Sequence, residues 1–252
     1  MAHGNFFWYD LVSKRPKASR DFLVQLFGWT ASDTAMPDGT PYTSFSSGND
    51  LICGLIPLNE SRDYEGGRAY WITYIQVERL FSAITRAQRQ GGEVLSEAQP
   101  IPDLGSYQFI RDPDGALISL VEARHRVLTP GFAWNSVTWN ELVCRQIKSC
   151  EAFYQSVVGW DTAPADGELD YSFFTSSGAN IAGFLDMSAQ TFEGLRPGWQ
   201  TYFSVENVDQ TTEKVEACGG HVAVSPFDLP GVGRLAIIIE PGEAILNLLT
   251  PL

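Results

Sequence analysis

The stretch WYDLVSKRPKASRDFLVQLFGW at residues 8–29 is written again as WNELVCRQIKSCEAFYQSVVGW at residues 139–160. Both copies open on Trp, carry an acid two residues later followed by Leu-Val, and close on Gly-Trp, at a constant offset of 131 residues (139 − 8). The match continues beyond the stretch. SSG at 46–48 returns at 176–178, YWITYIQVE (70–78) returns as GWQTYFSVE (198–206), and Gly91-Gly92 returns as Gly219-Gly220. By Asp112-Pro113 and Glu240-Pro241 the offset has fallen to 128, a loss of three loop residues. A fixed period of this length marks a duplicated folding unit. The chain therefore reads as two homologous halves, 1–124 and 133–252, joined through 125–132.

Each half has the same order of elements. An alternating strand (6–12; 136–143) leads into a helix in which Pro16 suits the first turn, Phe22, Leu23 and Leu26 repeat at helical spacing, and Gly28 ends the run. Two strands follow, YTSFSS and DLICGLIPL, around a Gly-Asn turn. A second strand and helix, YWITYIQV and ERLFSAITRAQRQ, stop at Gly-Gly, and three short strands close the half, the last two joined by DPDG. Each half is thus βαβββ twice. The predicted fold is α+β, with four βαβββ modules in two halves and mixed curved sheets that carry helices outside and a cleft inside.

Composition narrows the function. A chain of 252 residues that is 44% hydrophobic and 12% aromatic can bury a sizeable core. No apolar run approaches the roughly 18 residues of a membrane helix, and MAHGNFFWYDL lacks the regions of a signal peptide, so a cytoplasmic protein without a membrane partner is expected. The net charge of −13 is uneven: residues 1–126 carry 12 basic and 15 acidic side chains, residues 127–252 carry 5 and 15. Such a surface repels phosphate backbones and argues against nucleic acid. Cys53, Cys144, Cys150 and Cys218 form no CxxC pair and read as reduced, mostly buried thiols. The absence of GxSxG, GxGxxG and Walker patterns leaves no nucleophile elbow and no nucleotide cofactor.

The order of these elements resembles the vicinal oxygen chelate superfamily, which holds glyoxalase I, bleomycin-resistance proteins and extradiol dioxygenases. The resemblance rests on FLVQLFGW and FYQSVVGW after the Trp-x-acid-Leu strands, on the Gly-Gly helix stops, and on the DPDG and EPGE turns before the last strands. It covers nearly the whole chain. SPFDLPGVGRLAIIIEPGEA is similar to the matching stretch of the two-domain glyoxalase-like members.

Metal-using members of that superfamily take ligands from set places, which this resemblance puts at Trp8 and Trp139 on the first strands, Ile72 and Gln200 before the second helices, and Ser119 and Asn247 on the last strands. A further ligand would come from ICG (52–54) and IAG (181–183), which contain neither acid nor imidazole. Zinc, iron and manganese want imidazole, carboxylate or thiolate donors, so no metal and no other cofactor is expected. The three histidines, His3 in the terminus, His125 in the linker and His221 at a strand start, do not suggest a triad.

Strand parity then lists what faces the cleft. Asp10 shares a face with Trp8, Glu141 with Trp139, Tyr74 with Ile72, and Tyr202 with Gln200, beside Ser119 and Asn247. Asp10 and Glu141 are the candidate catalytic carboxylates. Trp8, Tyr74, Ser119, Trp139, Gln200, Tyr202 and Asn247 are the candidate ligand-binding residues. The bland alternatives are core packing for the two Trp, and pairing of the acids with Lys14, Arg145 or a backbone amide. Asp112 and Glu240 read as turn builders, and Cys144 falls on the face away from the cleft. Three functions follow: a metal-free binder of a planar or amphipathic small molecule, a metal-independent enzyme using Asp10 or Glu141 as general base, or a metal enzyme with its ligands elsewhere. Either a monomer or a homodimer would serve.

Overall fold

The computed structural model describes residues 3–125, 128, 133–165, 171–187 and 196–252. Most of the predicted linker 125–132 lies outside these residues. The first half runs β1 (Phe6–Ser13), α1 (Pro16–Phe27), β2 (Thr30–Ala35), β3 (Pro41–Ser47), β4 (Asp50–Pro57), β5 (Tyr70–Gln76), α2 (Leu80–Arg89), β6 (Glu93–Val94), β7 (Gln99–Ile101), β8 (Gly105–Arg111) and β9 (Leu117–Ala123). The second repeats it with one strand fewer, the single β15 standing for β6 and β7: β10 (Val137–Cys144), α3 (Ile147–Val158), β11 (Asp161–Pro164), β12 (Tyr171–Ser176), β13 (Ala179–Asp186), β14 (Gly198–Ser204), α4 (Val208–Val215), β15 (His221–Leu229), β16 (Gly233–Ile239) and β17 (Ile245–Pro251). The fold is α+β, with one mixed sheet per half. The strand orders correspond: β2-β3-β4-β1-β5-β9-β8-β6, with β7 beside β8, and β11-β12-β13-β10-β14-β17-β16-β15.

By packing, the described residues form two compact units, and each draws one module from each half. The first comprises Met1–Phe7, Thr73–Val127 and Trp139–Gln200; the second comprises Trp8–Ile72, Leu128–Thr138 and Thr201–Leu252. The repeated Gly-Trp explains the exchange. In the first unit Trp160 donates from Nε1 to Gly4 O at 2.8 Å, lies parallel to Tyr154 with centroids 5.5 Å apart, and is fully buried. In the second, Trp29 donates to Asn135 O at 2.7 Å and stacks on Phe27 at 4.5 Å. Each Trp thus ties its own helix to the opening of the other half.

The repeated Gly-Gly has two jobs. Gly91 and Gly219 turn the chain at φ 83° and 91°, where other residues are strained. Gly92 and Gly220 let the other half approach: a Cβ there would lie 2.8 Å from the Phe153 ring and 2.5 Å from the Phe22 ring. Between α2 and α3, Arg86 also donates to Ser156 O (2.7 Å) and Val157 O (3.1 Å).

One expectation needs correction. β1 was predicted to bury a single face, but all residues from Phe7 to Ser13 are buried. β10, its repeat, does alternate: Asn140, Leu142 and Cys144 are buried while Trp139, Glu141 and Val143 are half-buried. Cys144 lies in the core on the far face, as parity required, and all four cysteines are free thiols. His3 is anchored, its Nδ1 accepting from Glu78 N at 3.2 Å. No helix among the described residues is long and apolar enough to cross a membrane.

Candidate functional site

In the second unit, Trp8 and Asp10 project from the same face of β1, because they are two residues apart on a strand. Trp8 Nε1 donates to Asp10 Oδ1 at 2.9 Å and to the Tyr42 hydroxyl at 2.8 Å, and Tyr42 Oη in turn donates to Asp10 Oδ1 at 2.9 Å. Sequence reasoning missed Tyr42, which stands on β3 and reaches the acid over Gly54. Asp10 pairs with Gly54 across β1 and β4, and a Cβ on that glycine would lie 2.1 Å from both Asp10 Oδ1 and Tyr42 Oη. Trp8 and Asp10 are buried, 8% and 3% exposed, while Tyr42 is half-buried. Burial, then the adjacent Asp10 charge, drives the Tyr42 hydroxyl well above its usual pKa. Lys14 turns elsewhere, to an ion pair with Glu243.

The first unit contains the second copy. Glu141 pairs with Gly183 across β10 and β13. Tyr171 from β12 again leans over that glycine, where a Cβ would lie 1.7 Å from its hydroxyl. Tyr171 Oη receives Trp139 Nε1 at 3.1 Å and hydrogen-bonds Glu141. Burial, then the Glu141 charge, raises the Tyr171 pKa. Here all three residues are half-buried. A Trp, an acid, a Tyr and a glycine are therefore assembled twice. The signal was in the sequence, because Tyr42/Tyr171 and Gly54/Gly183 both recur at an offset of 129 residues.

The remaining candidates fall in two sets. Tyr74 sits opposite Ser119 across β5 and β9, in edge contact with Tyr107 and Phe109 at 5.7 and 6.2 Å, and Ser119 is fully buried. Tyr202 sits opposite Asn247 across β14 and β17, with Asn247 Nδ2 donating to Thr201 O at 3.3 Å, and Gln200 lies two residues along the same face of β14. The turn acids do build turns. Asp112 Oδ1 accepts from the Asp114 and Ala116 amides, and the Glu240 carboxylate accepts from those of Gly242 and Ala244. Asp112 also accepts the Tyr154 hydroxyl at 3.1 Å, and burial pushes its pKa up to about 6.

CFP32 of Mycobacterium tuberculosis, a glyoxylase by name, is 32% identical over 248 residues, spanning 97% of this chain and 94% of that protein. The Glyoxalase/Bleomycin resistance protein/Dioxygenase superfamily model matches residues 5–120. The chain belongs to this superfamily. The anthracycline biosynthesis protein DnrV of Streptomyces peucetius is 30% identical over 94% of this chain and 90% of its own length. The superfamily fold is also seen in the Mn(II)-bound glyoxalase of Novosphingobium aromaticivorans, at a TM-score of 0.67 and 13% identity over 99% of this chain and 83% of that one. The 2,3-dioxygenase LapB of Pseudomonas sp. KL28 matches equally well, over 99% and 93%.

Trp8 and Trp139 are the residues that the resemblance read from the sequence puts at first-strand ligand positions, and an indole N–H offers only a donor. At ICG and IAG the space above the glycine holds a tyrosine hydroxyl. Among the described residues, no three of His, Cys, Asp and Glu gather as a metal site would need.

Proposed function

We propose that this superfamily member binds a planar or amphipathic small molecule against its aromatic and acidic side chains, without a metal at the superfamily positions. The observation that carries this reading is the Trp–acid–Tyr constellation, built twice over a glycine. Its polar atoms are engaged with one another, and the donor set of Trp, Ile, Ser, Gln and Asn does not fit a transition metal. Aromatic rings with a few polar groups suit a flat ligand of mixed polarity. The DnrV name makes an anthracycline the first compound to try.

The test is titration of intrinsic Trp fluorescence with planar compounds, for wild type and W139A. Loss of the half-buried indole is expected to weaken binding by roughly 2 kcal/mol or more. Unchanged affinity would contradict the reading.

A second reading, a metal-independent enzyme, draws on the half-buried Glu141 hydrogen-bonded to Tyr171, which in that reading accepts a proton from a substrate. Product analysis of the same samples separates the two. In an enzyme E141Q keeps binding and loses turnover; in a binder the compound is recovered intact from wild type.

A further inference from the structure

The two constellations are not equal. Two residues after the tyrosine, the first copy has Ser44 and the second has Phe173. Both pair with the glycine of their copy, Ser44 with Gly54 and Phe173 with Gly183. The second copy therefore has a third ring where the first has a hydroxyl. The Phe173 ring stands steeply against Trp139, with centroids 6.1 Å apart at 80°, and against Tyr171, 5.5 Å apart at 85°. Glu141 lies at the same corner through its hydrogen bond with Tyr171. All four side chains are half-buried, whereas in the first copy Trp8 and Asp10 are buried and only Tyr42 and Ser44 are half-buried.

Rings set at steep angles to one another wall a corner with negative π-faces, and a carboxylate beside them adds a full negative charge. Both features favour a cation whose charge is spread over alkyl groups, since such a cation sheds its water easily. The unit that holds this corner carries 9 basic against 15 acidic side chains, and its field draws the same kind of ligand. A neutral flat ligand would use the rings and gain at most a hydrogen bond from the carboxylate, without the charge pairing a cation makes. We propose that Trp139, Glu141, Tyr171 and Phe173 form a recognition site for the ammonium group of an organic cation. This rests on the small-molecule reading above, and it specifies which copy binds and what the ligand carries.

The test compares choline with its neutral isostere 3,3-dimethylbutan-1-ol on the full chain, by fluorescence and ligand-observed NMR titration at two salt concentrations. Choline is expected to bind at least about tenfold more tightly than the neutral alcohol, and less tightly at higher salt. F173S, which installs the residue of the first copy, and E141Q should each weaken choline binding about tenfold. F81S, which removes a ring 85% exposed on α2, should leave it unchanged. Thermal melts confirm that each variant is folded. No choline binding at millimolar concentration, or equal binding of the two probes with no effect of E141Q, overturns the proposal. In either case the small-molecule reading still stands or falls by planar ligands and W139A.

Discussion

At the scale of single residues, the same four residue types do different work in the two copies, and solvent decides which. Asp10 Oδ1 takes two hydrogen bonds inside the protein, so the Gly54 contact is rigid. Gly54→Ala is expected to cost about 1–3 kcal/mol by overpacking, read by denaturant unfolding. Gly183→Ala should cost less, because Tyr171 can swing outward past the half-buried Trp139 and Glu141, whereas Trp8 and Asp10 beside Tyr42 are buried, but the Tyr171–Glu141 bond is then lost. Equal losses in the two variants would mean that both corners are equally closed. Asp112 makes a prediction with a definite sign. Its folded pKa, about 6, lies above its ordinary value of 3.8, so folding favours the protonated form. The associated stability is full below about pH 4 and lost as the pH rises through 6, roughly 2–3 kcal/mol in all. The melting temperature of wild type relative to D112N should fall across that window; a flat difference would refute the assignment. Parity made the Trp8–Asp10 and Trp139–Glu141 pairings legible, since they are local. Tyr42 and Tyr171 were not, because each reaches its acid across an intervening strand, and only the repeated tyrosine and glycine hint at it.

At the scale of elements, the strongly periodic segments were legible and the polar edge strands less so. β2, TASDTA, has no residue buried, and an edge strand without an apolar face leaves no period to read. The helix ends were legible from Gly28 and from the Gly-Gly pairs. Their second purpose was not, since Gly92 and Gly220 are set by Phe153 and Phe22 of the other half. Gly92→Ala and Gly220→Ala should each destabilise by about 1–3 kcal/mol. A Cβ at either site would meet carbonyl oxygens, Ala87 O at 3.0 Å or Ile239 O at 2.8 Å, besides the ring. Thermal unfolding checks this, and wild-type stability in both variants would show that the helix stops do not depend on these contacts.

At the scale of the whole molecule, duplication was the most legible feature and the exchange of modules between units the least. The repeat is written in linear order, whereas the exchange depends on Trp29 meeting Asn135 and Trp160 meeting Gly4, contacts 106 and 156 residues apart. Removing the linker's continuity tests it: separately expressed 1–124 and 133–252 should be unstable alone and recover native fluorescence when mixed, whereas two independently stable halves would contradict it. The central claim is that the chain keeps the superfamily scaffold while its ligand positions serve aromatic and hydrogen-bonding purposes in place of a metal. Elemental analysis of the purified full chain tests this most directly, after dialysis against zinc, iron(II) and manganese in turn. The account predicts far less than one metal ion per chain in each case. One tightly held ion per chain, released by D10N or E141Q, would contradict it.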